Sequence, residues 1–167
     1  MGWIVPHAIT DTARDNMVGV TSPATTVLLG RKNYTGFGSY WPRIANDESA
    51  DPRDRAFSKW LNAVEKIVFS STLTDATWEN SRIADTDPAQ VIEELQQQKG
   101  GDIIVLASGS VIKGLLRADA LDRLSITLCP EVAGGGARLF EDGLPSSSWS
   151  LRQSTVTESG ALCLLYD

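Results

Sequence analysis

The feature that most constrains the fold is a set of three short, largely apolar runs in the first two thirds of the chain. They are residues 25–30 (TTVLLG), 66–73 (KIVFSSTL) and 102–108 (DIIVLAS). Runs of β-branched residues and leucine without polar alternation are typical of strands that are buried on both faces. Such strands belong to sheets that helices cover on each side. The three runs therefore predict the centre of a parallel sheet in an α/β protein.

Helical patterns separate these strands. One helical face is marked by apolar residues at the i, i+3, i+4 and i+7 positions, namely Phe57, Trp60, Leu61 and Val64. Proline and glycine signals predict further helices at 10–18, at 31–41 with its end at Pro42, at 88–98 and from Gly109 onward. The alternation of strands with helices is the pattern of βαβ units.

The last third of the chain carries strand signals instead. A fourth strand is predicted within 121–132, and residues 149–158 and 161–167 are predicted to pair as a hairpin through Glu-Ser-Gly. Together these patterns predict a three-layer α-β-α sandwich on a mixed, mostly parallel sheet that ends in an antiparallel hairpin. The chain shows no internal repeat and no linker, so we predict one domain over residues 1–167.

Composition excludes several classes of function. The 167 residues carry a net charge of -6 without a block of lysine or arginine, which argues against a nucleic-acid surface. No apolar run has membrane-spanning length and no secretory signal is apparent, so we expect a cytoplasmic protein that acts on a small molecule. Cys129 and Cys163 are expected to be buried thiols. The single histidine, His7, leaves no multi-histidine metal site and argues against a catalytic triad.

Small, hydroxyl or basic residues follow each of the three apolar runs. The three stretches are Gly30-Arg31-Lys32-Asn33, Ser70-Ser71-Thr72 and Ser108-Gly109-Ser110. Ligands of open α/β sheets bind beyond the carboxyl ends of the strands, where helix N-termini attract anions. Taken singly, each stretch has a simpler explanation: a solvated charge pair, hydroxyls that cap their own backbone, or a serine that caps a helix. Their coincidence predicts a dinucleotide with an extra ribose phosphate.

Two other features have competing explanations. The three consecutive glycines at 134–136 follow a strand without leading to a recognisable helix, so we interpret them as a turn with positive φ and close chain approach. The aromatic residues Tyr34, Tyr40 and Trp41 either line a pocket for a planar substrate or pack in the core. The sequence identifies no general acid and no catalytic residue.

Four blocks of sequence together resemble a known family. In chain order they are LLGRKNYTGFGSYWP, KIVFSSTLTDATWENS, GGDIIVLASGSVIKGLL and LDRLSITLCPEVAGGGARLFEDG. They resemble bacterial dihydrofolate-reductase-like proteins related to the C-terminal reductase domain of riboflavin biosynthesis, over about residues 25–167. The resemblance implies a dihydrofolate-reductase fold, NADPH as cofactor and a homodimer.

The resemblance also assigns roles to the three polar stretches. Gly30, Arg31, Lys32 and Asn33 would contact the adenosine 2'-phosphate and the pyrophosphate. Ser70, Ser71 and Thr72 would lie beside the adenosine half. The segment 108–112 would hold the pyrophosphate and pass beside the nicotinamide. Its residues are Ser108, Gly109, Ser110, Val111 and Ile112. The implied activity is hydride transfer to a planar pterin-like or pyrimidine-like acceptor; the alternative is a non-catalytic NADP(H)-binding module.

The chain departs from the family pattern in three places. Ala107 replaces the family's glycine before the Ser-Gly pair, which implies a more crowded backbone. Leu106 stands where riboflavin-pathway reductases carry a glutamate that engages the pyrimidine, which argues against activity on that pyrimidine. The family's first strand, with its Ser-x-Asp-Gly turn, is not recognisable, and the resemblance implies that it is absent or lies outside this chain.

Overall fold

A computed structural model of the protein describes residues 2–167, which form two compact units. The first, which we call the parallel unit, is Thr21–Ala120. The second, the antiparallel unit, combines the described residues before Thr21 with Leu121–Asp167. A single domain over residues 1–167 stays a prediction.

The secondary structure alternates through the first two thirds of the chain and is all strand at its end. A 3-10 turn at Gly2–Ile4 comes first. The helices are α1 (Val5–Ala8), α2 (Asp11–Thr21), α3 (Arg31–Ile44), α4 (Pro52–Ala63), α5 (Pro88–Gln96) and α6 (Gly109–Arg117). The strands are β1 (Ala24–Gly30), β2 (Glu65–Phe69), β3 (Ser81–Ile83), β4 (Asp102–Val105), β5 (Leu124–Leu128), β6 (Leu151–Val156) and β7 (Leu162–Tyr166).

The parallel unit is built on a four-stranded sheet in the order β3-β2-β1-β4, and every neighbouring pair is parallel. In the register of the central strand, Leu28 lies opposite Ile67 on one side and Val105 on the other. Val27, Leu28 and Leu29 are each 0% exposed although successive side chains point to opposite faces. Both faces of β1 are therefore covered, which confirms the predicted buried parallel sheet.

Helices pack on this sheet through an aromatic-rich core. Phe57 and Leu61 of α4 and Tyr34 of α3 pack with Val27 and Leu29 of β1. Helix α3 contacts both α4 and β1. Helix α6 also contacts β1, and α5 contacts α6. The predicted apolar stripe of α4 thus faces the core, as its helical spacing requires.

Several of the predicted element ends are wrong. Pro42 does not end α3, which continues to Ile44. The last turn is held instead by tertiary contacts, because the Ser58 hydroxyl donates a hydrogen bond to the Trp41 carbonyl and the Trp41 ring packs on Phe57 at 4.7 Å between centroids. The strands also end earlier than predicted, at Phe69 and Val105, so the polar residues lie in the connections that follow them.

The antiparallel unit contains a three-stranded sheet in the order β5-β7-β6. The strands β6 and β7 form the predicted C-terminal hairpin, and β5 pairs with the other edge of β7. The predicted parallel strands and the predicted antiparallel strands therefore form two separate sheets of an α/β protein. Among residues 2–167, no helix has both the length and the apolar character needed to cross a bilayer.

The glycine run at 134–136 lies in irregular backbone of the antiparallel unit. Gly134 and Gly136 have φ values of +70° and +124°, so the predicted turn with positive φ is confirmed. The predicted close approach is wrong, since a Cβ built at these glycines meets no atom within 4 Å. Glycine is thus required here for its conformation and not for space.

Candidate anion-binding site

Two of the three predicted polar stretches meet at the carboxyl ends of the adjacent strands β1 and β4. Gly30 ends β1, and its N–H donates to Oγ of Ser108 at 2.9 Å. The Ser108 hydroxyl in turn donates to the carbonyl oxygen of Leu106 at 2.9 Å. A Cβ built at Gly30 would lie 3.5 Å from Oγ of Ser110. A buried serine therefore joins two connections that are 78 residues apart in the chain.

The helices that begin at this junction both lack a side-chain cap. Gly30 precedes α3 and has no side chain to offer, and the hydroxyl of Ser108, which precedes α6, is used by Gly30 and Leu106. The simpler explanation, in which Ser108 caps α6, is therefore wrong. By contrast, Asp51 and Asp87 cap α4 and α5 through backbone N–H groups. The uncapped helices α3 and α6 leave N–H donors and the positive ends of two helix dipoles for an anion.

Basic side chains stand beside the uncapped start of α3. Arg31 and Lys32 occupy its first turn, which contains no acidic residue, and both are exposed. A cation at a helix N-terminus is repelled by the dipole unless an anion is present. The position of these two residues therefore favours a negatively charged ligand.

One hydrogen bond connects the stretch Ser70–Thr72 to the stretch Gly30–Asn33. Nη1 of Arg31 donates to Oγ1 of Thr72 at 2.8 Å. Ser70 has a local role, since its Oγ accepts from the N–H groups of Thr72 and Leu73 at 3.1 and 2.9 Å. The self-capping explanation is thus confirmed for Ser70, whereas Ser71 and Thr72 present exposed side chains.

The remaining predicted cofactor residues lie on the first turns of the same two helices. Val111 is a buried residue of α6 with 2% exposure. The N–H of Ile112 donates to the carbonyl oxygen of Ser108 at 3.0 Å. Gly109 and Asn33 are half-buried and Ser110 is exposed. The contribution of Val111 to a site is therefore through its backbone. The binding roles of all these residues stay predictions.

The three predicted pocket aromatics have different environments. Tyr34 is 6% exposed, and its hydroxyl accepts from the N–H of Trp78 at 2.8 Å. Trp41 packs against Phe57 in the same core. Only Tyr40 is exposed, with the Arg43 guanidinium 5.2 Å from its ring centroid. The structure thus engages Tyr34 and Trp41 in packing, and a pocket lined by the three residues stays a prediction.

Ala107 adopts a backbone conformation that suits glycine. Its φ is +49°, in the left-handed region, directly before the buried Ser108. The family's glycine at this position is thereby explained, because an alanine Cβ crowds the following carbonyl in this conformation. Leu106, in the position of the family's glutamate, is 8% exposed and belongs to the hydrophobic core.

The variant Ala107→Gly is expected to stabilise the protein by roughly 0.5–1 kcal/mol, because relief of the left-handed strain exceeds the added entropy of the unfolded chain. For a chain of this size the melting temperature should rise by about 1–4 °C in calorimetry. Ala56→Gly, at an exposed interior position of helix α4, serves as the control and should destabilise by a similar amount. Equal effects of the two variants would contradict the strain at Ala107.

Among residues 2–167, no group of three histidine, cysteine, aspartate or glutamate side chains is placed to hold a metal ion. The site's chemistry is therefore that of backbone N–H groups, hydroxyls and two cations. These groups are suited to phosphate oxygens. Sequence reasoning found the three stretches but missed the function of Ser108 as a tie between them, because a hydroxyl before a helix is most often a cap.

Comparisons with known proteins identify a relative in sequence and several relatives in fold. The protein YyaP of Bacillus subtilis (strain 168), which is described as uncharacterized, is 25% identical over 142 residues, spanning 84% of this chain and 72% of its own length. A putative riboflavin biosynthesis protein from Shewanella sp. PV-4 has a similar fold, with a TM-score of 0.72, 21% identity, and coverage of 99% of this chain and 86% of that one.

Two further solved structures share the fold. A pyrimidine reductase-like protein from Corynebacterium diphtheriae has a TM-score of 0.61 at 14% identity, covering 94% of this chain and 81% of that one. A Thermotoga maritima diaminohydroxyphosphoribosylaminopyrimidine deaminase/5-amino-6-(5-phosphoribosylamino)uracil reductase also has a TM-score of 0.61, at 13% identity, with coverage of 95% and 49%. The family model of the RibD C-terminal domain matches residues 1–163. The chain therefore belongs to the RibD C-terminal domain family, whose structural neighbours have a reductase-like fold.

Proposed function

We propose that the protein is an NADPH-dependent reductase that transfers a hydride to a small planar heterocycle of the pterin or pyrimidine class. The observation that carries the proposal is the convergence of two uncapped helix N-termini, those of α3 and α6, at the tie between Gly30 and Ser108. Arg31 and Lys32 add positive charge at that point. A pyrophosphate with a nearby phosphomonoester matches this set of donors.

The residues present fit this cofactor. The first-turn N–H groups of α6, together with the Ser110 hydroxyl, would bind pyrophosphate oxygens, and the N-terminus of α3 would contribute its dipole. The Arg31 guanidinium is exposed and is oriented by its hydrogen bond to Thr72, so it would receive the 2'-phosphate. When bound, NADPH supplies the hydride.

The protein's part in such a reaction is to bind and orient the cofactor and to exclude water from the reacting atoms. Reduction of a C=N bond also needs a proton, and the predicted cofactor residues include no acid. Leu106, which is buried in the core where the family's glutamate would be, favours an acceptor other than the riboflavin-pathway pyrimidine. The similarity to a pyrimidine reductase-like protein and to a uracil reductase supports a related heterocycle.

A second candidate function is a non-catalytic NADP(H)-binding module of the same fold. The observation that favours it is the composition of the site. The three polar stretches offer hydrogen-bond donors for an anion and contain no aspartate or glutamate that could supply a proton. The two candidates share cofactor binding and differ in turnover.

Fluorescence titration with NADPH tests the cofactor, and we expect saturable binding at micromolar concentrations. Absorbance of NADPH is then followed with a panel of pterins, pyrimidines, flavins and quinones. Oxidation that depends on one heterocycle supports the reductase; tight binding without oxidation by any of them supports the binding module. The absence of micromolar binding would reject both proposals.

A further inference from the structure

His7 lies between a serine and a glutamate in the antiparallel unit. Its Nδ1 is 2.9 Å from Oγ of Ser159, and its Nε2 is 3.1 Å from Oε1 of Glu131. The three residues come from α1, from the connection after β5 and from the turn between β6 and β7. His7 is 7% exposed, so its ring is shielded from solvent. A serine, an imidazole and a carboxylate in this order are the arrangement that activates a nucleophilic hydroxyl.

The hydrogen bonds around Ser159 allow its proton to be directed at His7. The N–H of Ala161 donates to Oγ1 of Thr157 at 3.1 Å, and Oγ1 of Thr157 lies 3.1 Å from Oγ of Ser159. We assign the Thr157 proton to a hydrogen bond with Ser159, so that the Ser159 hydroxyl donates to Nδ1 of His7. This assignment leaves the proton of His7 on Nε2, where it donates to Glu131. In this arrangement the hydroxyls of Thr157 and Ser159 and both ring nitrogens of His7 each have a hydrogen-bond partner.

Ser159 lies in a turn that is accessible from solvent. Ser159 is half-exposed in the turn, and its neighbours Glu158 and Gly160 are exposed. Gly160 has a φ of +79°, and its N–H donates to the Thr157 carbonyl, which closes the turn. The N–H of Ser159 donates to no group within residues 2–167. A backbone N–H on the nucleophile itself is a usual donor to the oxyanion of an acyl-transfer step.

We propose that Ser159 is the nucleophile of a second site that accepts acyl groups from activated carboxylic esters. Oγ of Ser159 bonds to the ester carbonyl carbon and its proton passes to Nδ1 of His7. The bond from that carbon to the alcohol oxygen breaks, and the proton goes to the leaving alcohol. Water then attacks the acyl-serine with the same proton transfers, which releases the carboxylic acid and restores the hydroxyl. Glu131 is a positioning residue that holds the His7 tautomer.

This assignment revises the conclusion drawn from the sequence. A single histidine excludes a multi-histidine metal site, but one histidine suffices for a serine nucleophile. The positions of the three residues in the chain gave no signal, because His7 is separated from Ser159 by 152 positions and from Glu131 by 124. Only the folded antiparallel unit brings them together.

The test uses the full chain and a fluorophosphonate probe, which phosphonylates activated serines with loss of fluoride. Peptide mass spectrometry is expected to find one adduct, on Ser159, and Ser159→Ala should remove it. His7→Gln should slow labelling by about 100-fold, the usual contribution of a general base. Ser154→Ala is the control, because this exposed serine on the neighbouring strand β6 has no histidine partner within residues 2–167. Its labelling should match that of the unchanged protein.

The role of Glu131 has its own readout. Glu131→Gln keeps an oxygen that accepts from Nε2, whereas Glu131→Ala does not, so Gln should retain a larger share of the labelling rate than Ala. Because Glu131 is partly exposed, both Glu131 variants should fold. Their labelling rates test the proposal even if His7→Gln fails to fold. An adduct on another residue, no adduct, or equal rates for the unchanged protein and both Glu131 variants would overturn the proposal.

Discussion

Replacing Arg31 by alanine is expected to weaken NADPH binding by about 10- to 100-fold and NADH binding by no more than about threefold. The reason is the placement of the guanidinium, which is exposed at the start of α3 and is oriented by Thr72 Oγ1 at 2.8 Å. A charge-assisted hydrogen bond to a phosphate contributes roughly 1.5–3 kcal/mol. The adenosine 2'-phosphate is the group that NADPH has and NADH lacks, so the loss should fall on NADPH.

The comparison is made by isothermal titration of both cofactors against the unchanged protein, Arg31→Ala and Arg43→Ala. Arg43 is the matched control, since it lies in the last turn of the same helix and contacts Tyr40. Its replacement should leave both affinities within about twofold, as is usual for a surface change outside a site. Equal losses of NADPH and NADH in Arg31→Ala would assign that arginine to the pyrophosphate, and no loss of either would remove it from the site.

The sheet that positions this site was predictable because its signal is local. Val27, Leu28 and Leu29 are apolar at consecutive positions, as is typical of a short strand with two covered faces. Pro42 shows the limit of such reasoning. A proline disfavours a helix interior, yet packing of Trp41 on Phe57 outweighs that preference, and packing is a property of residues distant in sequence.

The location of the site was predictable from the sequence, but the hydrogen bonds within it were not. Sequence reasoning identified the polar stretches after the strands, because the topology of a parallel sheet places such residues at one edge. It did not identify the tie from Ser108 to Gly30 or the orientation of Arg31 by Thr72. Both are single hydrogen bonds between residues that are 78 and 41 positions apart, and they depend on side-chain rotamers that no local pattern specifies.

Lys66 is the residue whose structural role was furthest from its sequence signal. It opens the second apolar run, and its side chain is 0% exposed although lysine is rarely buried. Nζ donates to the carbonyl oxygens of Leu61, Asn62 and Val64 at 2.8, 3.1 and 2.8 Å, and it lies 4.9 Å from the Trp78 ring centroid. The ammonium thus satisfies carbonyls at the C-terminus of α4, where the helix dipole favours a cation.

The variant Lys66→Met is expected to destabilise the protein by about 3 kcal/mol at pH 7, because it leaves buried carbonyl oxygens without a donor. The melting temperature should fall by roughly 6–12 °C. Lys59→Met, which changes an exposed lysine of α4, is the control and should change stability by no more than about 0.5 kcal/mol. A variant Lys66→Met as stable as the unchanged protein would show that the cost of burying the ammonium equals the value of its three hydrogen bonds.

The pH dependence of stability distinguishes the charge of Lys66 from its packing. Burial lowers the pKa of Lys66 from 10.5 to about 8, and the nearby Glu79 carboxylate opposes this shift. Between these two values the unfolded chain binds more protons than the folded one, so Lys66 makes stability rise with pH across that window. The difference between the two pKa values corresponds to about 3 kcal/mol, all of which is present above pH 10.5.

Other groups titrate in the same range, and the Cys129 thiol acts in the opposite direction because burial raises its pKa. The measurement is therefore the difference in unfolding free energy between the unchanged protein and Lys66→Met, taken by urea denaturation from pH 7 to pH 10. Groups common to both chains cancel in that difference. It should widen as the pH rises through 8, since only the unchanged protein gains from loss of the buried charge. A constant difference would mean that Lys66 keeps its proton throughout, with the three carbonyls and the Trp78 ring holding its charge against burial.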